Sequence, residues 1–213
     1  MREFDLIPVF KATRIANRTI HNKIIASYRN KEFFDGLRQN GYGGMKHDGR
    51  WKPIAERICK EYQLNGLSWF LQIQCEKGYL LDEMLKLHPD MRVRGTETSL
   101  YARQYMPHEV RKCIVPFDFP ARQFHFVLAL GIYVLNLPDL IKRLKEIQRI
   151  GIGRSYITLA SYETHEDLEL FKRWSLLSST ILKKHEWLEV LEHCHYSGDY
   201  SFVNSKTLNL CSP

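Results

Sequence analysis

The chain has 213 residues, of which 44% are hydrophobic and 26% charged, and this composition excludes a disordered, collagenous or low-complexity protein. The 31 basic and 24 acidic residues give a net charge of +7, which permits an acidic partner, but no recognised nucleic-acid-binding module accompanies it. The longest stretch without charged residues, 123–138, is shorter than the about 20 residues of a membrane span, and the N-terminus lacks a signal-peptide core. We therefore expect a cytoplasmic protein without a membrane or nucleic-acid partner.

The cysteines form an odd set of five without C-x-x-C spacing, which favours reduced thiols over a disulfide framework or a structural zinc site. His193 and His195 lie two positions apart near a predicted helix end, so they do not share a helix face. The sequence therefore predicts no metal site.

The first 50 residues are polar and basic, and a helix is predicted over residues 19–34. In that helix Ile20, Ile24, Tyr28 and Phe33 would share one side. Glycines at positions 36, 41, 43, 44 and 49 then predict an irregular loop.

Pro53 is typical of the first residue of a helix, and Ile54, Ile58 and Tyr62 follow it in helical register. An alternation of strands and helices begins after this helix. Such an alternation predicts an α/β fold with a doubly wound, mostly parallel sheet, covered by helices on both faces. The predicted strands are 67–73, 91–97, 110–115, 124–130, 154–161 and 196–203, and the predicted helices are 78–88, 100–106, 137–150 and 183–194.

Several strings in this order resemble the class I S-adenosylmethionine-dependent methyltransferases over residues 45–203. They are LQIQCEKGYLL (71–81), VRGTETS (93–99), VPFDFPARQFHFVLALGIYVLNLPD (115–139) and HEWLEVLEHCHYSGDYSFV (185–203). The string GYGGMKHDGRW (41–51) is similar, more narrowly, to a segment of bacterial small-molecule methyltransferases. The resemblance implies a Rossmann-like sheet of seven strands, including hairpin strands at its end, and S-adenosylmethionine as the cofactor. The expected organisation is a helical and looped extension at 1–51, a methyltransferase-like domain at 52–204 and a tail at 205–213.

The cofactor motif of the family departs from its usual form in this chain. In the family an acidic residue ends the first strand, and an acid-x-G-x-G-x-G pattern lets the backbone approach the ligand closely. The corresponding residues are Gln72, Gln74, Glu76 and Gly78, so only the last glycine is retained. Glu76 would also bring a carboxylate toward the carboxylate of the cofactor.

Two further cofactor positions follow from the resemblance. Glu97 matches the acidic residue that accepts hydrogen bonds from the ribose hydroxyls, and Arg111 falls near the position of an Asp or Asn beside the adenine. Gln72, Gln74 and Glu76 are compatible with a loop that has lost its ligand and with a pocket reshaped for another one. Glu97 is equally compatible with an exposed strand end.

On the substrate side, Tyr42, His47, Arg50 and Trp51 could form a lid over an acceptor or pack as an ordinary loop. In the family, the region of Tyr162, His165 and Trp174 would line the acceptor side, although a Trp at position 174 is also typical of a core residue. The sequence identifies no catalytic residue.

Three functions remain open. The degenerate motif favours a methyltransferase-fold protein that has lost catalysis and acts by association. The alternative is a divergent but active methyltransferase for a small-molecule acceptor, which the retained Gly78, Glu97 and 41–51 segment support. A nucleic-acid-binding protein on the same fold would rest on net charge alone.

Association would use the apolar residues near the N-terminus, Phe4, Ile7, Val9 and Phe10. Burial of each such side chain contributes about 1.5–3 kcal/mol, so they are seldom left in water. We expect either a homodimer or heterodimer with an active methyltransferase relative, or a tail that folds back on its own domain.

Overall fold

The computed structural model describes residues 1–7 and 18–210. Within them, five parallel strands form one sheet in the order β2-β1-β3-β4-β5. The strands are β1 (Trp69–Ile73), β2 (Arg92–Thr96), β3 (Phe126–Ala129), β4 (Ser155–Ala160) and β5 (Asp199–Val203). The helices are α1 (Ile20–Ser27), α2 (Lys31–Phe34), α3 (Trp51–Tyr62), α4 (Tyr79–Leu87), α5 (Leu100–Gln104), α6 (His108–Lys112), α7 (Leu137–Ile150), α8 (His165–Trp174) and α9 (Lys184–His193).

The sheet is covered on both faces, as the strand–helix alternation predicts. Phe70 and Phe126 point into a core beneath α3 and α4, whereas their neighbours Leu71 and Val127 point into a second core beneath α7 and α9. Successive side chains of a strand point to opposite faces, so strands between two helix layers are apolar throughout. The predicted α/β fold with a parallel sheet is therefore confirmed.

The bounds of α7 agree with the prediction residue for residue. Asn136 caps its first turn by accepting a hydrogen bond from the Asp139 N–H, and Pro138 lies in that turn. The helix ends before Gly151. Local signals of this kind define helix ends independently of the rest of the fold.

The predicted strand at 110–115 is wrong. Residues His108–Lys112 form α6, and the chain after it makes a single parallel bridge, between Ile114 and Gly95 of β2. In this bridge the Gly95 N–H donates to the Cys113 carbonyl and the Val115 N–H donates to the Gly95 carbonyl. Val110 is fully buried beside Gly78, so packing against the loop after β1 favours the helix.

The sheet also differs from the predicted one at its end. The described residues form five strands instead of seven, and β5 pairs parallel to β4 instead of forming a hairpin strand. The isolated bridges add single pairs and no further strand.

The predicted apolar side of the first helix is exposed. Ile20 is 73% exposed, and Ile24 and Tyr28 are also exposed, whereas Asn22 is buried. The Asn22 amide donates a 2.8 Å hydrogen bond to the side chain of Asn40, which turns this polar face inward. The chain also breaks at Arg29 (φ 46), so the buried Phe33 belongs to the separate helix α2.

The N-terminal residues fold back onto the domain. Glu3 forms a parallel bridge with Tyr200 of β5, and Leu6 is fully buried. Phe4 and Ile7 pack against the core beneath α3, which removes them as a free association surface. The other two residues predicted for association, Val9 and Phe10, lie outside the described residues.

None of the helices formed by residues 18–210 has the length and apolar character needed to cross a bilayer.

Candidate functional site

Three residues of the loop after β1 adopt a backbone conformation that glycine favours. Gln74 (φ 54), Glu76 (φ 55) and Gly78 (φ 69) all adopt the left-handed conformation. For a residue with a side chain this conformation costs about 1–2 kcal/mol. The three positions predicted from the motif therefore retain the turn, although two of them carry large polar side chains.

Gly78 has a packing role as well as a backbone role. A Cβ at this position would lie 2.4 Å from Val110 Cγ1. The residue also precedes the first turn of α4 as its N-terminal cap. Only glycine leaves room for α6 to approach the loop this closely.

We expect Gly78→Ala to lower the free energy of unfolding by about 2–4 kcal/mol in urea denaturation, because left-handed strain and overpacking add. Gly49→Ala is the matched control, since Gly49 has φ +83 and no heavy atom within 4 Å of an added Cβ. The control should lose only the part of the free energy of unfolding that comes from left-handed backbone strain. Equal losses in the two variants would show that contact with Val110 is unimportant.

The Gln72 side chain points from β1 into the buried interior. The residue is 5% exposed, and its Oε1 has no hydrogen-bond partner in the described part of the chain. An unpaired buried carbonyl is destabilising by about 1–3 kcal/mol. Gln72, for which the resemblance predicts an acidic residue in the family, is therefore a buried neutral amide with an unsatisfied acceptor.

Glu97, one residue beyond β2, is already fully engaged by protein groups. Its side chain is completely buried, and the Arg29 Nη2 donates to its two oxygens at 3.3 and 3.2 Å. The Glu76 N–H donates to Oε2 at 2.8 Å and the Ser99 N–H donates to Oε1 at 2.7 Å. The carboxylate predicted for the ribose hydroxyls therefore binds an arginine and two backbone amides.

The Glu76 side chain contacts the loop that precedes α3. It accepts a short hydrogen bond from the Tyr42 hydroxyl. Burial and the nearby Glu97 charge raise the pKa of Glu76 from 4.5 to about 7, against the opposing effects of Tyr42 and Arg29. Burial and the Glu76 charge also raise the pKa of Tyr42, which keeps its hydroxyl protonated.

The raised pKa of Glu76 has a stability consequence with a definite sign. The folded protein binds the proton of the Glu76 carboxyl group more tightly than the unfolded chain does. The protonated group therefore stabilises the fold fully below pH 4.5, and this stabilisation is lost as the pH rises through 7. We expect the free energy of unfolding of the natural protein, measured in urea, to fall by about 2–3 kcal/mol relative to that of Glu76→Gln between pH 5 and pH 8. Parallel pH profiles for the two proteins would contradict the assignment.

A buried ion pair attaches the N-terminal segment to this loop. Lys77 is 4% exposed, and its ammonium donates to both oxygens of Asp35 at 2.6 and 2.7 Å. Tyr101 also donates to Asp35 at 2.7 Å. Burial acts to raise the pKa of Asp35, but the hydrogen bonds from Lys77 and Tyr101 hold it below its ordinary value. Residues 35–45 are thereby held over the carboxyl end of the sheet.

The predicted lid residues do not converge on one point. His47 stacks on Tyr79 with ring centroids 4.7 Å apart and hydrogen-bonds to Glu83 at 2.9 Å. Arg50 is exposed and pairs with Asp48, whereas Trp51 starts α3 and packs against the core. Only Tyr42 of the four lies against the loop after β1.

The contacts of His47 form a compact polar cluster. His47, Asp82 and Glu83 offer ligand atoms within 4.8 Å of one another. Lys86 already contacts Asp82 at 2.6 Å and Glu83 at 2.9 Å. The two carboxylates are therefore already paired with Lys86, and the cluster attaches the loop that carries His47 to α4.

The remaining predicted site residues lie apart from the loop. Arg111 is exposed on α6, and His165 is exposed at the start of α8. Tyr162 is half-buried after β4, where its N–H donates to the Leu182 carbonyl at 3.3 Å. Trp174, at the end of α8, lies closer, because it lines the cavity described next.

A cavity of about 140 Å³ opens beyond the carboxyl ends of β1 and β3. Open α/β sheets bind ligands at such a crevice, where neighbouring strands send their connections to opposite faces. Glu76 and Gly131 form the wall next to the sheet. Arg18, Arg29 and Arg38, none of them predicted, form much of the opposite wall. Sequence analysis missed them because no local pattern distinguishes these arginines from other basic residues of the N-terminal region.

Comparison with known proteins identifies the fold. A candidate methyltransferase from Bacillus halodurans C-125 aligns with a TM-score of 0.52 at 14% identity, covering 66% of this chain and 67% of that chain. YcgJ from Bacillus subtilis aligns with a TM-score of 0.51 at 11% identity, and the alignment covers 66% of each chain. The pyocyanin biosynthetic protein PhzM aligns with a TM-score of 0.50 at 14% identity, covering 75% of this chain and 52% of that chain.

Neither a protein-family model nor a curated protein sequence matches the chain. The structural likeness identifies the fold alone at these identities. The chain has the fold of the class I S-adenosylmethionine-dependent methyltransferases, as its sequence predicts.

Proposed function

We propose that this protein is a non-catalytic methyltransferase-fold subunit in which the groups that would bind S-adenosylmethionine are already engaged by the protein itself. The observation that carries the proposal is the Arg29–Glu97 pair. Glu97 would have to accept hydrogen bonds from the ribose, yet its oxygens already accept from Arg29, Glu76 and Ser99. Exchanging a buried guanidinium for neutral hydroxyls would leave Arg29 without its counter-ion, which is strongly unfavourable.

The loop after β1 supports the same proposal. Gln74 and Glu76 place side chains where the family motif has hydrogen atoms, and Glu76 adds a carboxyl group with a pKa of about 7. Two carboxylates about 4 Å apart repel by roughly 4 kcal/mol at an effective dielectric constant near 20. The residues present therefore do not fit the cofactor.

The second candidate is a divergent but active methyltransferase for a small-molecule acceptor. Its specific support is the left-handed backbone at positions 74, 76 and 78, which is the shape that a glycine-rich loop would adopt. In that case Glu97 would exchange Arg29 for the ribose when the N-terminal segment moves, and Tyr42 would lie on the acceptor side.

Without catalysis the protein would act by association, as a homodimer or as a heterodimer with an active methyltransferase relative. The residues that support association are Ile20 and Ile24 of α1 and Tyr28 at its C-terminal cap, whose spacing of four residues places them on one exposed side. Exposed apolar side chains that recur on one face are typical of protein-contact surfaces. Light scattering on the chain, alone and mixed with such a relative, tests this part of the proposal, and a monomer under both conditions would contradict it.

Titration calorimetry with S-adenosylmethionine and S-adenosylhomocysteine distinguishes the two candidates. We expect no binding of either compound at concentrations up to 1 mM, roughly the weakest affinity of functional interest. A micromolar dissociation constant for either compound would refute the non-catalytic proposal and favour the enzyme.

A further inference from the structure

Three arginines face the same small cavity beyond the carboxyl ends of β1 and β3. Arg18 and Arg29 are half-buried, and both have a buried Nε–H without a hydrogen-bond partner in the described residues. Arg38 lies beside them in the cavity wall. Buried guanidinium groups with unsatisfied donors are unfavourable unless an acceptor binds there.

The charges around this cavity do not balance within the described residues. Arg29 is paired with Glu97, but the contacts of Arg18 and Arg38 are backbone carbonyls. The Arg18 Nη2 donates to the Arg38 carbonyl at 2.8 Å and to the Gly41 carbonyl at 3.2 Å. Neutral carbonyls hold the guanidinium in place without cancelling its charge.

The pKa shifts of these groups agree with an uncompensated positive charge. Burial lowers the pKa of Arg18 to about 10, and the neighbouring charge of Arg38 lowers it further. Partial desolvation of its guanidinium against the cavity wall also lowers the pKa of Arg38. The one carboxyl group among the described residues of the wall, Glu76, has a pKa of about 7 and is hydrogen-bonded to Tyr42. An anion would relieve the repulsion between Arg18 and Arg38.

Another part of the wall is apolar and aromatic. It includes Phe33, Tyr133, Trp174 and Leu176. The volume of about 140 Å³ corresponds to about five water molecules in the liquid. A small organic molecule with one charged end and one flat apolar end matches both halves of this wall.

We propose that this cavity is a binding site for a small aryl or short-chain carboxylate or phosphate, whose anionic end binds Arg18 and Arg38 and whose apolar end contacts Tyr133 and Trp174. Guanidinium groups bind both anions through charge-assisted hydrogen bonds. The cavity adjoins the crevice at Glu97, because Arg29 and Glu76 contact both. Anion binding at Arg18 and Arg38 nevertheless does not require the protein to bind S-adenosylmethionine.

Titration calorimetry and thermal shift with benzoate, phenyl phosphate and the neutral isostere benzamide test the proposal. We expect benzoate or phenyl phosphate to bind and to raise the melting temperature in a concentration-dependent manner, and benzamide to bind at least tenfold more weakly. Comparison of the two anions distinguishes a carboxylate site from a phosphate site. Equal effects of benzamide and benzoate, or no effect of either anion at 10 mM, would overturn the proposal.

The exposed Arg38 is the first side chain to change, because its removal leaves the buried contacts of Arg18 in place. We expect Arg38→Gln to weaken anion binding about tenfold or more, the effect of losing one hydrogen bond to a charged group. Arg18→Gln should have a similar effect, provided that its circular dichroism spectrum is native. The matched control is Arg103→Gln, an exposed arginine on α5 outside the cavity wall. A control that loses as much affinity as Arg38→Gln would show that the anions bind by general surface charge.

Discussion

Replacement of Glu97 by alanine is expected to lower the free energy of unfolding by about 3–5 kcal/mol in urea denaturation. The Glu97 side chain is completely buried and that of Arg29 is 18% exposed, so the substitution leaves a largely buried guanidinium without its counter-ion. It also removes the acceptor for the N–H groups of Glu76 and Ser99. Both losses act on the loop that joins β1 to α4 and on the segment after β2.

A salt bridge at the surface provides the control for this prediction. Glu163 and Lys206 form a close ion pair with both side chains more than half exposed, so Glu163→Ala should change stability by at most about 1 kcal/mol. The double variant Arg29→Met with Glu97→Gln should be less destabilised than the sum of its single changes, because neither charge is then left alone. Additive losses would show that the two side chains do not act as a pair.

The triple variant Arg29→Ser, Gln74→Gly and Glu76→Gly is expected to gain about a hundredfold in affinity for S-adenosylmethionine. The first change frees Glu97, and the other two restore glycine where the backbone is already left-handed. Repulsion of roughly 4 kcal/mol between carboxylates would correspond to three powers of ten, and partial protonation of Glu76 near pH 7 reduces the expected gain. Titration calorimetry measures the affinity.

Gln63→Gly is the matched control for this gain. Gln63 has φ 54, as Gln74 does, but lies at the end of α3 away from the cavity. The control should leave cofactor affinity unchanged, and addition of Glu97→Gln to the triple variant should reverse the gain. A folded triple variant that binds no better than the natural protein would show that the motif alignment at positions 72–78 is incorrect.

Local sequence signals were sufficient to predict most of the helices and strands. Helix α7 is defined by its Asn136 cap and the following Gly151, and the apolar runs of β1 and β3 indicate strands buried on both faces. These features depend on residues within one element, so the alternation of strands and helices and the parallel sheet could be predicted. The resemblance also located the loop at 74–78 and the acidic residue Glu97, because motif spacing is likewise local.

Side chains that meet from distant parts of the chain could not be predicted in this way. Arg29 reaches Glu97 across 68 positions, and Arg18 and Arg38 join the same cavity as Tyr133 only after the N-terminal segment folds over the sheet. The same kind of contact places Val110 against Gly78 and makes α6 a helix. By itself the sequence determined the fold class, whereas the altered cofactor motif at positions 72–78 stays a prediction. Only the tertiary structure decided that Arg29 binds Glu97 and that three arginines surround the cavity, because both depend on long-range packing for which residue spacing has no signal.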